Sequence, residues 1–264
     1  MNNEFSIITV CYNCKKSIEK TLLSVIQQTY NNFQYIIIDG GSTDGTLDII
    51  YRYKDKINVI LTEPDKGVYD AMNKGIKLAN GKWINFMNSG DTFYNLNVLS
   101  DVSKNINSET DIIYGNTCIE LTPSIRYCLL PDKLTSIEDK LPFCHQSCFI
   151  KTSIAQENLF NLSFKYVADY ALFYYLYNKK AKFQYINTII SNYQIGSGLT
   201  ASNAYLCYLE KYRVNGKKIS FKKKIKMKLT SNIQKMLPKS IIKITREKIY
   251  KKNKRFILIT CDGN

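Results

Sequence analysis

Four short polar stretches punctuate the first 91 residues. They are Tyr12-Asn13, Asp39-Gly40-Gly41, Glu63-Pro64-Asp65-Lys66 and Asn88-Ser89-Gly90-Asp91, and each follows an apolar run. Downstream, His145, the chain's one histidine, lies in Pro142-Phe-Cys-His-Gln146, and Asp169 is the one acid in an aromatic-rich stretch from Val167 to Tyr177. No G-x-G-x-x-G follows the first apolar run and no G-x-x-x-x-G-K-[ST] is present, so glycine cradles for phosphate are not indicated. A single histidine and the lack of a G-x-S-x-G elbow leave little room for a Ser-His-Asp hydrolase. What remains is carboxylates without phosphate-binding loops. A diphosphate then has to be held through a divalent metal, and hard oxygen ligands such as Asp91 suit Mg2+ or Mn2+. Such a metal neutralises charge on a departing phosphate.

These residues need elements to position them. Phe5–Val10, Tyr35–Asp39, Asn58–Thr62 and Trp83–Met87 are short, β-rich apolar runs and read as strands. Between them, Ile18, Leu22, Val25 and Ile26 recur at helical spacing. A second helix follows Gly41, capped by Asp44 or Thr46 and running to about Tyr53, and a third spans Val68 to Ala79. Strand and helix in alternation predict an α/β fold with a mainly parallel central sheet and helices on both faces. Ligand crevices in such sheets lie beyond the carboxyl ends of the strands, where the four polar stretches fall. Gly, Asn and Asp also dominate ordinary turns; four of them aligned at one sheet edge favour a site.

The second half is less regular. Asp111–Gly115 and Thr117–Leu121 are expected as two strands extending the sheet, Val167–Tyr177 as a helix, Phe183–Tyr193 as a strand, Gly196-Ser197-Gly198 as a break and Ala201–Val214 as a helix. Residues 131–153 show no clear period.

The formal net charge of +15 is not evenly spread. Residues 1–212 carry 20 basic and 20 acidic residues, whereas 213–264 carry 17 basic residues against Glu247 and Asp262. The expected organisation is therefore a neutral, enzyme-like domain over 1–212 and a separate cationic device over 213–264. No run approaches the ~18 apolar residues of a membrane span, and Met1-Asn2-Asn3-Glu4 has no basic leader, so a cytoplasmic, non-exported protein is expected. In that compartment the eight cysteines should be reduced thiols. Cys11-Tyr-Asn-Cys14 and the Cys144/Cys148 pair around His145 read as buried thiols before they read as metal or redox sites.

The four blocks Ser6–Asn13, Ile38–Gly45, Glu63–Gly75 and Asn88–Asp91, in that order, resemble the family 2 glycosyltransferases of bacterial polysaccharide, O-antigen and capsule synthesis, over roughly residues 4–195. Pro142–Gln146 and Val167–Tyr170 are similar to the second half of the same subgroup. The resemblance implies a GT-A fold, a nucleotide-diphosphate sugar donor, in this family often a UDP-sugar, and inversion at the anomeric carbon. It places Thr9, Val10 and Tyr12 along the nucleoside pocket, Asp39 on the base, and Lys66 and Asp70 near the nucleotide or diphosphate. Asn88 to Asp91 occupies the place of the metal-binding D-x-D, with Asn88 and Gly90 where acids are usual, so that Asp91 is the expected ligand of Mn2+ or Mg2+ and His145 a candidate second ligand. Asp169 falls at the position of the general base, with Ala168 where many members carry a second acid. On the residues alone, Asp169 reads first as a helix N-cap or first-turn acid favoured by the dipole, and His145 is open between metal ligand, acceptor contact and core residue.

In the tail, Phe221, Ile225, Leu229, Ile233 and Leu237 recur every four residues among lysines, and Pro238 ends the helix. An apolar stripe flanked by lysines fits an interfacial helix on an anionic leaflet, which would bring the enzyme to lipid-linked acceptors at the inner face of the membrane. The alternatives are a stripe packed on the body, or nucleic-acid binding, for which no recognition motif is present. Two other functions stay open from the residues: a nucleotidyltransferase, which would want a Gly- and Arg/Lys-rich loop after the first strand, and a non-catalytic binding module that has lost its metal site at Asn88 and Gly90.

Overall fold

The computed structural model describes residues 3–122, 124–194, 203–236 and 239–259. The predicted break at Gly196–Gly198 lies outside these. At the centre is β1 (Phe5–Cys11), buried along its whole length, as a run with no polar face requires. It is flanked in parallel by β2 (Phe33–Asp39) and β4 (Trp83–Phe86), and β3 (Val59–Thr62) lies outside β2. The register sets Cys11 beside Asp39 and Asp39 beside Thr62, so three carboxyl ends finish level.

Alternate residues of these strands face two cores. Ile8, Val10, Ile36 and Ile38 pack under Ala71, Met72 and Ile76 of α3 (Val68–Leu78). Ile7, Cys11, Tyr35 and Ile37 pack under Ile18, Leu22 and Val25 of α1 (Ile18–Ile26) and Ile49 and Ile50 of α2 (Thr46–Tyr51). Helices thus cover both faces, and most strands run one way. Neither proposed cap of α2 holds the N-cap position: that is Gly45, at φ 91°, while Asp44 Oδ1 accepts from the Thr46 amide at 3.0 Å.

Beyond residue 91 the chain builds the other half of the sheet. After the short β5 (Thr92–Phe93) and α4 (Val98–Lys104), the two strands expected over 111–121 are one, β6 (Ile112–Thr122). Gly115 does not interrupt it. A Cβ there would sit 2.6 Å from the Thr188 carbonyl, so the glycine marks a close approach where pairing with the parallel β9 (Phe183–Gln194) slips register. The first half of β6 pairs β8 (Cys148–Lys151), which pairs β4; its second half pairs β7 (Ile125–Leu129). Strands β5, β7 and β8 run against the others. Helices α5 (Thr152–Glu157) and α6 (Ala168–Asn178) follow β8.

A helix Ala204–Val214 leads into the tail, which forms helices Phe221–Met236 and Lys239–Lys252, then β10 (Phe256–Ile259). This last strand pairs antiparallel with β7, so the end of the basic stretch is a strand of the sheet. Arg255 and Lys140 both pair with Asp132 and tie the start of β10 to the body. Among the described residues no helix is long and apolar enough to cross a membrane.

Candidate active site

The carboxyl ends of β1 and β2 are joined by polar side chains. Asp39 is fully buried. Its Oδ2 accepts from the amides of Gly41 (3.0 Å) and Ser42 (2.8 Å), and its Oδ1 accepts from Ser42 Oγ (2.5 Å) and the Cys11 thiol (3.5 Å). Expected on the base, Asp39 here shapes the loop after β2. Asn13 stitches that loop to the one after β1, donating its amide to Ser42 Oγ and accepting from the Thr43 amide.

Thr9 and Val10, expected along the nucleoside pocket, both point into the cores instead. Thr9 Oγ1 donates to the Met87 carbonyl at 2.8 Å and lies 3.0 Å from the Tyr35 hydroxyl. Val10 packs with Ile8 and Ile38. The alternation of an extended strand sends these neighbours to opposite cores, and only Tyr12, past the strand's end, presents its ring at the surface, 63% exposed. A Cβ on Gly40 would meet the Asp65 carboxylate and lie 3.3 Å from the Tyr12 ring, so Gly40 lets both close over it. Beside them Asp70 Oδ2 accepts from the Lys66 amide at 2.9 Å and closes the entry to α3; the Lys66 side chain is exposed.

The Asn88–Asp91 turn is clamped by α1. Thr21 Oγ1 donates to the Asp91 carbonyl (2.7 Å) and accepts from the Gly90 amide (2.9 Å), with Gly90 at φ 105°, and Ser17 and Ser89 hydroxyls meet at 3.1 Å. The Asp91 side chain accepts from Gln146 Nε2 at 2.9 Å. Burial pushes its carboxyl up, opposed by that hydrogen bond and by the charges of His145 and Lys20.

His145 and Gln146 are consecutive on a short 3-10 turn after Cys144, held by Asn85, whose amide donates to the Gln146 and Cys148 carbonyls. While Gln146 reaches Asp91, His145 Nδ1 lies 3.6 Å from Asp169 Oδ2, and His145 Nε2 lies 3.4 Å from Asn88 Nδ2. Asp169 sits in the first turn of α6, yet its Oδ1 accepts from the Tyr69 hydroxyl at 2.8 Å. Burial and the Asp169 charge push the Tyr69 phenol far up, which keeps it a donor. Phe86, Phe160 and Phe173 back His145 and Asp169. The structure therefore brings Asn88, Asp91, His145 and Asp169 together, with the helix-acid and cleft positions of Asp169 both true at once.

The donor set around Asp91 fits a divalent cation. Asn88 Oδ1 is buried without a hydrogen-bond partner among the described residues, in the same turn as Asp91. Among the described residues no three His, Cys, Asp or Glu side chains converge, so the protein offers an open site rather than a closed cage. Mg2+ and Mn2+ are commonly held in this way, by one or two protein oxygens with phosphates and water completing the shell. His145, a candidate second ligand, is turned toward Asp169 and Asn88.

Cys11, Cys14, Cys118, Cys128, Cys144 and Cys148 are free thiols. Cys14 is held down to about 7 by hydrogen bonds from Cys11, Ser89 and Thr46, while Cys11 is pushed up by the shared hydrogen bond and by burial.

Two site residues carried no role in the sequence. Gln146 was visible only as the neighbour of His145, and Tyr69 only as part of the Glu63–Gly75 block. Their partners lie 55 and 100 residues away, and no local pattern encodes those contacts.

Residues 6–124 match the family described as Glycosyl transferase family 2. A PGL/p-HBAD biosynthesis glycosyltransferase of Mycobacterium bovis is 30% identical over 203 residues, covering 74% of this chain and 78% of its own. The Escherichia coli UDP-Glc:alpha-D-GlcNAc-diphosphoundecaprenol beta-1,3-glucosyltransferase WfaP is also 30% identical, covering 76% and 80%. In fold, S. aureus TarS 1-349 in complex with UDP-GlcNAc superposes with a TM-score of 0.63 at 20% identity, over 80% of this chain and 65% of that one. The Pyrobaculum calidifontis mannosyltransferase PcManGT, in complex with GDP-Man and Mn2+, gives 0.60 at 14% identity, over 81% and 65%. With the sheet, the rim of polar loops and these relatives in agreement, the chain belongs to glycosyltransferase family 2 and has the GT-A fold.

Proposed function

We propose that this glycosyltransferase moves a sugar from a UDP-sugar to a hydroxyl of a lipid-linked glycan, with inversion at the anomeric carbon. One observation carries the reading: two consecutive residues, His145 and Gln146, touch Asp169 and Asp91 respectively, which supports a single site for both acids. The uridine choice draws on the donor in the name of WfaP and the ligand in the TarS structure. Tyr12 is the exposed ring for the base, and Lys66 and Asp70 stand at the entry to α3 on the same rim.

In this mechanism Asp169 Oδ1 is held by Tyr69, leaving Oδ2 to take the acceptor's hydroxyl proton. The acceptor oxygen bonds to the anomeric carbon as the bond to the diphosphate breaks on the opposite side, which inverts that centre. Asp91 and Asn88 Oδ1 would hold the divalent cation, Mn2+ or Mg2+, whose chemistry is neutralisation of the departing diphosphate. His145 orients Asp169 through Nδ1. The decisive measurement pairs UDP binding in Mn2+ with sugar transfer for Asp169→Asn. Binding should be kept and transfer lost; retained turnover would remove Asp169 from the role of base.

The tail serves the same reaction by docking on an anionic inner leaflet, where a lipid-linked acceptor is presented. Phe221 (76%), Ile225 (45%) and Leu229 (57%) are exposed at four-residue spacing among lysines, rather than packed on the body. Ile241, Ile244 and Ile249 are exposed on the next helix.

A further inference from the structure

The end of the tail packs on a sheet face that leads to the Gln146–Asp91 contact. Leu258, Tyr127, Ile119 and Tyr193 form one row across β10, β7, β6 and β9, so their side chains share a face. Two residues along the strands, on that same face, Thr117 and Ser191 meet Ser147 Oγ at 2.8 and 2.7 Å, one residue from the Gln146 that holds Asp91. The Lys239–Lys252 helix lies on this face through Tyr250, 5.6 Å from Tyr127 edge-on and stacked 4.0 Å from Phe256. Arg246 is one helical turn before Tyr250 and therefore on the same side of the helix. Burial pushes the Tyr193 and Tyr250 phenols up; the Arg246 charge opposes this at both, and the Asp91 charge adds to it at Tyr193. The two tail arginines near the cleft differ in one respect. Arg255 is tied to Asp132 at 2.6 Å and to the Leu130 carbonyl at 2.9 Å. Arg246 is half-buried and makes no hydrogen bond or ion pair among the described residues.

An unpaired, half-buried guanidinium on the helix side that packs over this face is suited to bind phosphate, because its planar fork matches phosphate oxygens. We propose that Arg246 binds the diphosphate of a lipid-linked acceptor, so that the basic tail supplies a wall of the acceptor site as well as a membrane anchor. The inference rests on the glycosyl-transfer reading for its substrate class, and the name of WfaP supplies a precedent for a diphosphate-linked acceptor.

The test uses the full chain with UDP and Mn2+ present and three probes: octyl diphosphate, the uncharged octyl glucoside, and phosphatidylglycerol vesicles. Arg246→Ala and the closer-shaped Arg246→Gln should both weaken octyl diphosphate at least tenfold, with Arg246→Lys in between. UDP affinity, octyl glucoside binding and vesicle binding should be unchanged. The proposal is overturned if the wild-type chain does not bind octyl diphosphate, if both variants bind it as wild type does, or if the loss falls on the vesicles alone, which would make Arg246 a headgroup contact. Failure of UDP to bind the wild-type chain would count against the glycosyl-transfer reading instead, since octyl diphosphate binding is measured separately.

Discussion

Tyr69→Phe removes one hydroxyl from the site and little else. The ring keeps its packing against Phe160 (centroids 5.4 Å apart), while Asp169 Oδ1 loses the donor that holds it at 2.8 Å. A hydrogen bond to a charged group contributes about 1.5–3 kcal/mol. If that energy holds the carboxylate in its reacting rotamer, its loss appears in the barrier, and kcat should fall about 10- to 150-fold. The assay is sugar transfer at saturating donor, with UDP affinity as the control, because the Tyr69 hydroxyl is bonded to Asp169 and the Tyr166 carbonyl and not to Lys66 or Asp70. A merely structural role would also lower kcat, so the cycle with Asp169→Asn decides. Once Asp169 can no longer act as base, Tyr69→Phe should cost almost nothing further, because two residues acting as a unit are non-additive. An equal fold-loss in both backgrounds would refute the coupling between Tyr69 and Asp169.

Two further outcomes follow from the site and the tail. Burial raises the folded pKa of Asp91, so the stability it contributes is full below its unfolded pKa and is lost as pH rises through the folded one. Asp91→Asn should therefore melt no lower than wild type without cation, with its advantage larger at pH 8 than at pH 4, while the Mn2+-dependent stabilisation by UDP disappears; a lower Tm at pH 8 would contradict this. On the tail, Phe221→Ser, Ile225→Ser and Leu229→Ser combined should cut binding to phosphatidylglycerol vesicles at least tenfold with Tm nearly unchanged, since exposed positions shift stability by only about 0.5 kcal/mol; equal vesicle binding would remove the stripe from the interface.

How legible the molecule was in its sequence depended on how local its interactions are. The β1–β4 half could be read because each strand is a continuous apolar run and each helix carries its own period, and parallel pairing follows from the alternation. The β6–β9 half could not, because its pairings are non-local: β8 is four residues long and gains its identity only between β4 and β6, and Gly115 looks like a strand end until Thr188 is placed beside it. In the site, acids were visible as types, and their work was not. Asp39 and Asp91 both lie at strand ends, yet among the described residues the first is enclosed by four donors and the second takes a side-chain hydrogen bond only from Gln146, in the same turn as the unpartnered Asn88 carbonyl. Short-range sequence cannot distinguish these fates, because the difference lies in which loop amides turn inward.

The tail carries the same lesson at larger scale. Charge draws a boundary at residue 213, and a charge boundary is a statement about solvent and partners, not about topology. Hydrogen bonding ignores it: β10 supplies the outer strand to β7, and Asp132 grips Arg255 across it. Cutting the chain at 213 would therefore remove a strand as well as a cationic patch, and loss of membrane binding in such a truncation would not separate the two. Substitutions confined to exposed side chains of the 221–236 helix leave β10 and Arg255 in place, which is why the vesicle experiment has to be done with them.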